Sequence, residues 1–210
     1  MMERFRAFFT RLISPVARLL IRMGVSPDAV TLVGTLGLCA GALIFFPQGK
    51  LLTGVLVITA FVFSDLLDGH MARTTGRVSK FGAFWDSTLD RIGDGAIFIG
   101  LALYFAWEEP SKVYLVLSLV CLLMGAVTSY ARSRGETLGY DVKVGIAERA
   151  DRLVAILVLT GFSAIFDLPA LLHIALWGLA VASTITVFQR VWVVRKQALA
   201  EAAGLPSTHD

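Results

Sequence analysis

The chain is dominated by apolar stretches of bilayer-crossing length, at about 29–46, 51–72, 83–106, 113–131, 153–166 and 170–193, set apart by Pro, Gly and charged residues. A crossing needs roughly 20 apolar residues, so 210 residues hold six such helices and no large soluble domain. Composition agrees, with 56% apolar residues, 17% charged and a mean hydropathy of +0.74. The predicted fold is an all-α integral membrane protein of six transmembrane helices. The fifth stretch is the shortest and crosses only if its helix starts near Glu148, with Asp151 and Arg152 at the membrane edge; five spans is the alternative.

Charge placement orients the chain. Every Lys and Arg except Lys50 and Lys112 lies before the first stretch, around the second and fourth connections, or at the end of the last span. The positive-inside rule then puts both termini and the two basic connections in the cytoplasm, at the inner face of the cell membrane, which requires an even span count. The formal charge of +3 is thereby accounted for by topology, with no nucleic-acid partner. Within 1–24, Phe5, Phe8, Phe9, Leu12, Val16, Leu19, Leu20 and Met23 recur at helical spacing with the arginines off that arc, which predicts an interfacial amphipathic helix; a helix docked on the bundle is the competing reading. The arginines scattered through it speak against a cleaved signal peptide. Residues 25–196 form the six-helix domain and 197–210 a frayed tail. Cys39 and Cys121 sit in apolar runs and read as packing residues. His70, His173 and His209 have no partner at ligand spacing and read as incidental.

Acidic residues break this apolar pattern in one place. Asp65, Asp68, Asp86 and Asp90 flank the second connection, where a charge near mid-span costs about 2.5–3.5 kcal/mol if uncompensated. Spacings of three and four put each pair on one helix face, and the two helices meet at the same membrane face. Four carboxylates converging there repel unless cations intervene, and oxygen-only ligation selects Mg²⁺ or Mn²⁺ over zinc or copper. Arg73 and Arg91 are too few to neutralise them. Asp94 continues the Asp86 and Asp90 face one turn deeper and reads equally as ligand or structural residue. Gly69 and Gly82, beside the carboxylates, read as places where a bulky ligand nears the backbone, with helix packing as the alternative. Carboxylates confined to one face disfavour the competing class, a cation transporter, whose acidic residues recur at several depths.

The pattern Asp65, Asp68, Gly69, Ala72, Arg73, Gly82, Asp86 and Asp90 resembles, at every fixed position and spacing, the signature of the CDP-alcohol phosphotransferase family of integral membrane enzymes. That resemblance implies a six-helix bundle in which two divalent metals assist transfer of a substituted phosphoryl group from a CDP-linked donor to an alcohol, releasing CMP. It assigns Asp65, Asp68, Asp86 and Asp90 to the metals, with Asp90 also the base for the attacking hydroxyl, and Arg73 to the diphosphate. Ser26, Pro27, Asp28 and Thr31 look like the family's nucleotide-contacting segment, although Asn is common at the position of Asp28. The same residues also read as a plain helix start, with Ser26 as N-cap and Pro27 in the first turn.

The fourth connection is denser in arginine than topology requires, which points to a phosphorylated acceptor; headgroup anchoring is the alternative for any single arginine. The stretch is most similar to the actinobacterial branch of the family that joins CDP-diacylglycerol to inositol 1-phosphate. That likeness places the acceptor phosphate near Ser129, Arg134, Arg152 and Arg195, and implies a homodimer. A glycerol 3-phosphate acceptor is the alternative within the same chemistry.

Overall fold

A computed structural model describes residues 14–76 and 79–203, with the backbone alone at Asp65. No strand occurs among the described residues. The helices are α1 (Pro27–Ala40), α2 (Leu51–Val62), α3 (Ser64–Thr75), α4 (Lys80–Trp107), α5 (Lys112–Thr137), α6 (Arg149–Ile165) and α7 (Ala170–Ala202). These follow the six predicted stretches, with α2 and α3 sharing one and only Phe63 between them. By length and composition, four rods can cross a bilayer: Pro27–Gln48, Leu51–Thr75, Lys112–Thr137 and Ala170–Ala202. The other two predicted spans are the charged ones. α4 carries Asp86, Asp90 and Arg91 in its first half and Asp94 at its middle, and α6 has 17 residues with Arg149, Asp151 and Arg152 in its first turn.

The contacts divide the chain into two compact units, Met1–Leu101 and Ala102–Asp210. In the first, α1 is nucleated by Ser26, whose hydroxyl accepts from the Ala29 N–H at 3.2 Å, with Pro27 and Asp28 in the first turn. α1 packs closely against the α2–α3 rod. A methyl group at Gly34 would overlap the Ser64 side chain, so glycine is what permits this approach. Before α1, residues 14–22 form a helix whose Ala17 is buried with Val30 and Met71, flanked by Leu20, Ile21, Val25 and Leu67. This part of the predicted interfacial helix is thus docked on its own bundle, while Val16, Leu19 and Met23 stay exposed on another face. The rest of its predicted apolar arc, Phe5 to Leu12, lies outside the described residues. His70, read as incidental, meets the Ser14 hydroxyl at 3.2 Å.

In the second unit α7 packs along α5 and α6. Cys121 is buried there, and neither cysteine is bridged. His173, also read as incidental, stacks on Tyr114 at 3.7 Å between ring centres and lies 3.4 Å from Glu109. Over 197–202 helix replaces the predicted fraying: α7 continues through Ala202, its last turns clamped. Gln197 accepts from the Asp141 N–H at 3.0 Å and donates to the Asp141 carbonyl at 2.7 Å. The Tyr140 hydroxyl donates to Glu201 at 3.1 Å, which pushes that phenol above its ordinary 10.0 and keeps it a donor at neutral pH. The remaining tail, with Gly204, Pro206 and Ser207, and His209 beyond it, lies outside the described residues.

Candidate active site

Helix α1 acts as a ruler for the carboxylates. The α2–α3 rod runs antiparallel beside it: Gly41 meets Ile58, Gly37 meets Phe61, Gly34 meets Ser64, and Thr31 meets Asp68. Helix α4 runs parallel: Asp28 meets Gly82 and Trp85, Leu38 meets Gly93, and the Ala42 carbonyl meets Gly100. Both registers bring the acidic pairs to the first two turns of α1. At about 1.5 Å per residue, Asp68 and Asp86 come level within roughly one turn. Asp65 and Asp90 lie about a turn further in, because α3 descends towards that end as α4 leaves it. The backbone therefore stacks the four acidic positions in two tiers.

The side chains sort into pairs. The Thr31 hydroxyl donates to Asp68 Oδ2 at 2.5 Å, inside a buried contact that leaves Asp68 only 7% exposed. Its contact to the Pro27 carbonyl is longer, at 3.1 Å, and a hydroxyl has one proton, so Asp68 takes it. An ionised carboxylate offers about four acceptor positions, so this bond aims the group without exhausting it. Asp86 is exposed, and Asp90 is half-buried with Oδ2 at 3.4 Å from Arg91 Nη1. Asp94, one turn on, is half-buried. The predicted contribution of the Asp65 side chain lies outside the described residues, and no three His, Cys, Asp or Glu side chains meet as a ready metal cage among those described. The donor chemistry nonetheless fits a hard divalent cation, being oxygen-only on two tiers.

Around the carboxylates, the predicted nucleotide residues also come together. A methyl at Gly82 would sit 3.2 Å from Ser79 Oγ and 3.5 Å from Asp28 Oδ1, and one at Gly69 would meet the Arg73 guanidinium at 3.5 Å. Gly69 thus lies under the Arg73 guanidinium, and Gly82 lies beside the Ser79 hydroxyl and the Asp28 carboxylate. Two residues escaped the sequence reading. Ser79 starts α4 by accepting from the Gly82 N–H at 2.9 Å, and Trp85 ties α4 to α1 by donating to the Asp28 carbonyl at 3.2 Å.

The predicted acceptor residues lie in the second unit. Arg152 is 3% exposed, packs its guanidinium against Gly125 and donates to the Ala147 carbonyl at 3.1 Å. Ser129 bonds back to the Gly125 carbonyl at 3.2 Å, so Ser129 and Arg152 share one patch of α5. Arg134 and Arg195 are on exposed faces, the latter 5.8 Å over Trp192. Arg190 was counted only among the basic residues closing the last span. It is buried, donating to the Thr128 carbonyl at 2.5 Å and the Val144 carbonyl at 2.9 Å, and makes no ion pair among the described residues. One turn earlier on α7, Thr186 accepts from the N–H groups of Ile146 and Ala147. The spacing of Thr186 and Arg190 on one helix face was the available signal.

An all-helical chain with four rods able to cross a bilayer and acidic positions tiered on two helices beside Arg73 belongs to the class of membrane-embedded helical proteins. Residues 24–146 match the model of the CDP-alcohol phosphatidyltransferase family, and the chain belongs to that family. It is 54% identical to a phosphatidylinositol phosphate synthase of Streptomyces avermitilis, over 94% of this chain and 84% of the relative. It is 47% identical to that of Cutibacterium acnes, over 93% and 98%. Among solved structures it is similar to the Mycobacterium tuberculosis phosphatidylinositol phosphate synthase with CDP-DAG bound, at TM-score 0.84 and 43% identity, covering 88% of this chain and 94% of that one. The same mycobacterial enzyme in complex with manganese and citrate gives a TM-score of 0.83, covering 87% and 88%.

Proposed function

We propose that this chain transfers the phosphatidyl group of CDP-diacylglycerol to inositol 1-phosphate, releasing CMP. The observation that carries the reading is the two-tier stacking of Asp65, Asp68, Asp86 and Asp90 along α1, in a chain whose relatives share the named activity over nearly their full length. The four aspartates hold two divalent cations, Mg²⁺ or Mn²⁺, which supply charge neutralisation and Lewis acidity at the diphosphate when bound. Thr31 holds Asp68 in its ligating orientation. Asp90 takes the proton of the acceptor hydroxyl. Arg73, lying over Gly69, binds the diphosphate, and Asp28 with Gly82 seats the nucleotide.

Ser129, Arg134, Arg152 and Arg195 bind the acceptor phosphate, and Arg190 orders the connection over which that phosphate enters. Buried guanidinium groups favour an anionic acceptor over a neutral polyol. The fold is a six-span bundle with termini and active site at the cytoplasmic face, working as a homodimer. The test is CMP release by purified protein in lipid with CDP-diacylglycerol and inositol 1-phosphate, free inositol, glycerol 3-phosphate or serine, with Mg²⁺ or EDTA. Turnover is expected only with inositol 1-phosphate and metal. Turnover confined to glycerol 3-phosphate overturns the acceptor, and metal-independent turnover overturns the role of the carboxylates.

A further inference from the structure

The connection between α5 and α6 is laid in reverse order along α7. Tyr140 meets Glu201, Asp141 meets Gln197, Val144 meets Arg190, and Ile146 and Ala147 meet Thr186. On α7 these four residues are spaced by four, seven and four, which keeps them on one stripe of the helix. Thr186, Arg190 and Gln197 all bind main-chain groups, so the register is fixed whatever side chains the connection carries.

Thr186 and Arg190 hold the end that leads to Arg152, which itself donates to the Ala147 carbonyl at 3.1 Å. Gln197 holds the other end. Its amide oxygen accepts from the Asp141 N–H at 3.0 Å and its amide nitrogen donates to the Asp141 carbonyl at 2.7 Å, so both backbone polar groups of one residue are held. The next residue, Val142, is fully buried and seated on Gly135 of α5, where a methyl would overlap it, and Val194 of α7 closes that seat. The Tyr140 N–H bonds back to the Gly135 carbonyl at 3.0 Å. Gly135 adjoins Arg134. On the reading that Arg134 binds the acceptor phosphate, we infer that Gln197 is a positioning residue for the phosphorylated acceptor, acting through Val142 on Gly135 to hold the α5 turn that carries Arg134. Releasing it lowers the fraction of chains with that turn in place, and the apparent acceptor affinity falls with that fraction. The donor residues lie on α1, α3 and α4, so the donor KM is the internal reference.

The test is steady-state CMP release by the purified full chain in lipid, with acceptor and donor each varied. Melting temperature is the folding control, and amide hydrogen exchange over 140–147 reports release of the clamp. Met has the length and helix propensity of Gln without its amide. Gln197→Met should raise the acceptor KM about fivefold, keep the donor KM and kcat within about twofold, and speed exchange at Asp141. Leu199→Ala, on the exposed opposite face of α7, should change none of these. Should Gln197→Met fail to fold, Val142→Ala empties the Gly135 seat and is expected to give the same split. Faster exchange with both KM values unchanged, or raised alike, overturns the inference and leaves Gln197 a stabiliser of the helix end. A lowered acceptor KM overturns it too, since the connection would then be a gate. Wild-type turnover confined to glycerol 3-phosphate overturns the choice of acceptor alone, and the same comparison is then read with that alcohol.

Discussion

Asp68 and Asp90 are both carboxylates in the same tiered set, yet their surroundings assign them different work. Asp68 is buried and tied to Thr31, which suits a fixed ligand; Asp90 is half-buried beside Arg91, within reach of solvent, which suits a group that must take and give up a proton. Asp90→Asn should therefore lower kcat by roughly 10²–10⁴-fold, the usual range for a lost general base, while CDP-diacylglycerol binding measured by titration survives in part. Near-normal turnover would remove Asp90 as base. Thr31→Val deletes a hydrogen bond to a charged group, a contact of about 1.5–3 kcal/mol. It should raise the Mg²⁺ concentration for half-maximal activity about tenfold, with Thr31→Ser restoring it. An unchanged metal dependence would reduce Thr31 to packing. The sequence marked both Thr31 and Asp68 but in separate roles. Their contact depends on the register between α1 and α3, which apolar periodicity does not encode.

At the scale of elements, the helices are legible because apolar runs of bilayer length allow little else, and α6 starts where the short fifth stretch needs it to, with Glu148 as its N-cap. What escaped prediction depends on contacts between elements. The end of α7 was misjudged because its helicity rests on Gln197 and Glu201 meeting the connection after α5, a tertiary effect. Docking of residues 14–22 stood as the competing reading, since two apolar faces on a short helix form one broad arc that periodicity alone does not assign to bundle or lipid. Arg190 was passed over as a topology charge, since a sequence does not show which arginine of a basic cluster turns inward. The connection it holds is itself tightly specified. Gly145 has φ 144°, and a methyl there would collide with Thr186, the residue that receives the Ile146 and Ala147 N–H groups. Gly145→Ala should displace this connection and raise the acceptor KM several-fold while leaving the donor KM within about twofold. Arg152→Ala should do the same more strongly, about tenfold or more, for loss of a charge-assisted contact. Equal effects on both substrates in steady-state assays would argue against a dedicated acceptor pocket.

For the whole molecule, the governing constraint is that a bundle rich in apolar surface sets four acidic positions within two turns of one another along its backbone. Folding brings these carboxylates together and unfolding separates them, so their repulsion opposes the native state until cations bind. On the proposed function, divalent metal acts as a structural ligand as well as a catalytic one. By linkage, a cation at 100 times its dissociation constant contributes about 2.7 kcal/mol to stability, provided the unfolded chain does not bind it. Thermal unfolding in detergent should therefore shift upward by several degrees with Mg²⁺ or Mn²⁺ and fall back with EDTA. Asp68→Asn with Asp86→Asn together should abolish the shift while raising the metal-free melting temperature, because two of the repelling charges are gone. Monovalent salt at equal ionic strength separates binding from screening, which acts over about 8–10 Å near physiological ionic strength and so weakens exposed charge pairs in general. If the double variant keeps the full divalent shift, the cations bind elsewhere, and the tiers along α1 are an arrangement of charges without a metal to hold.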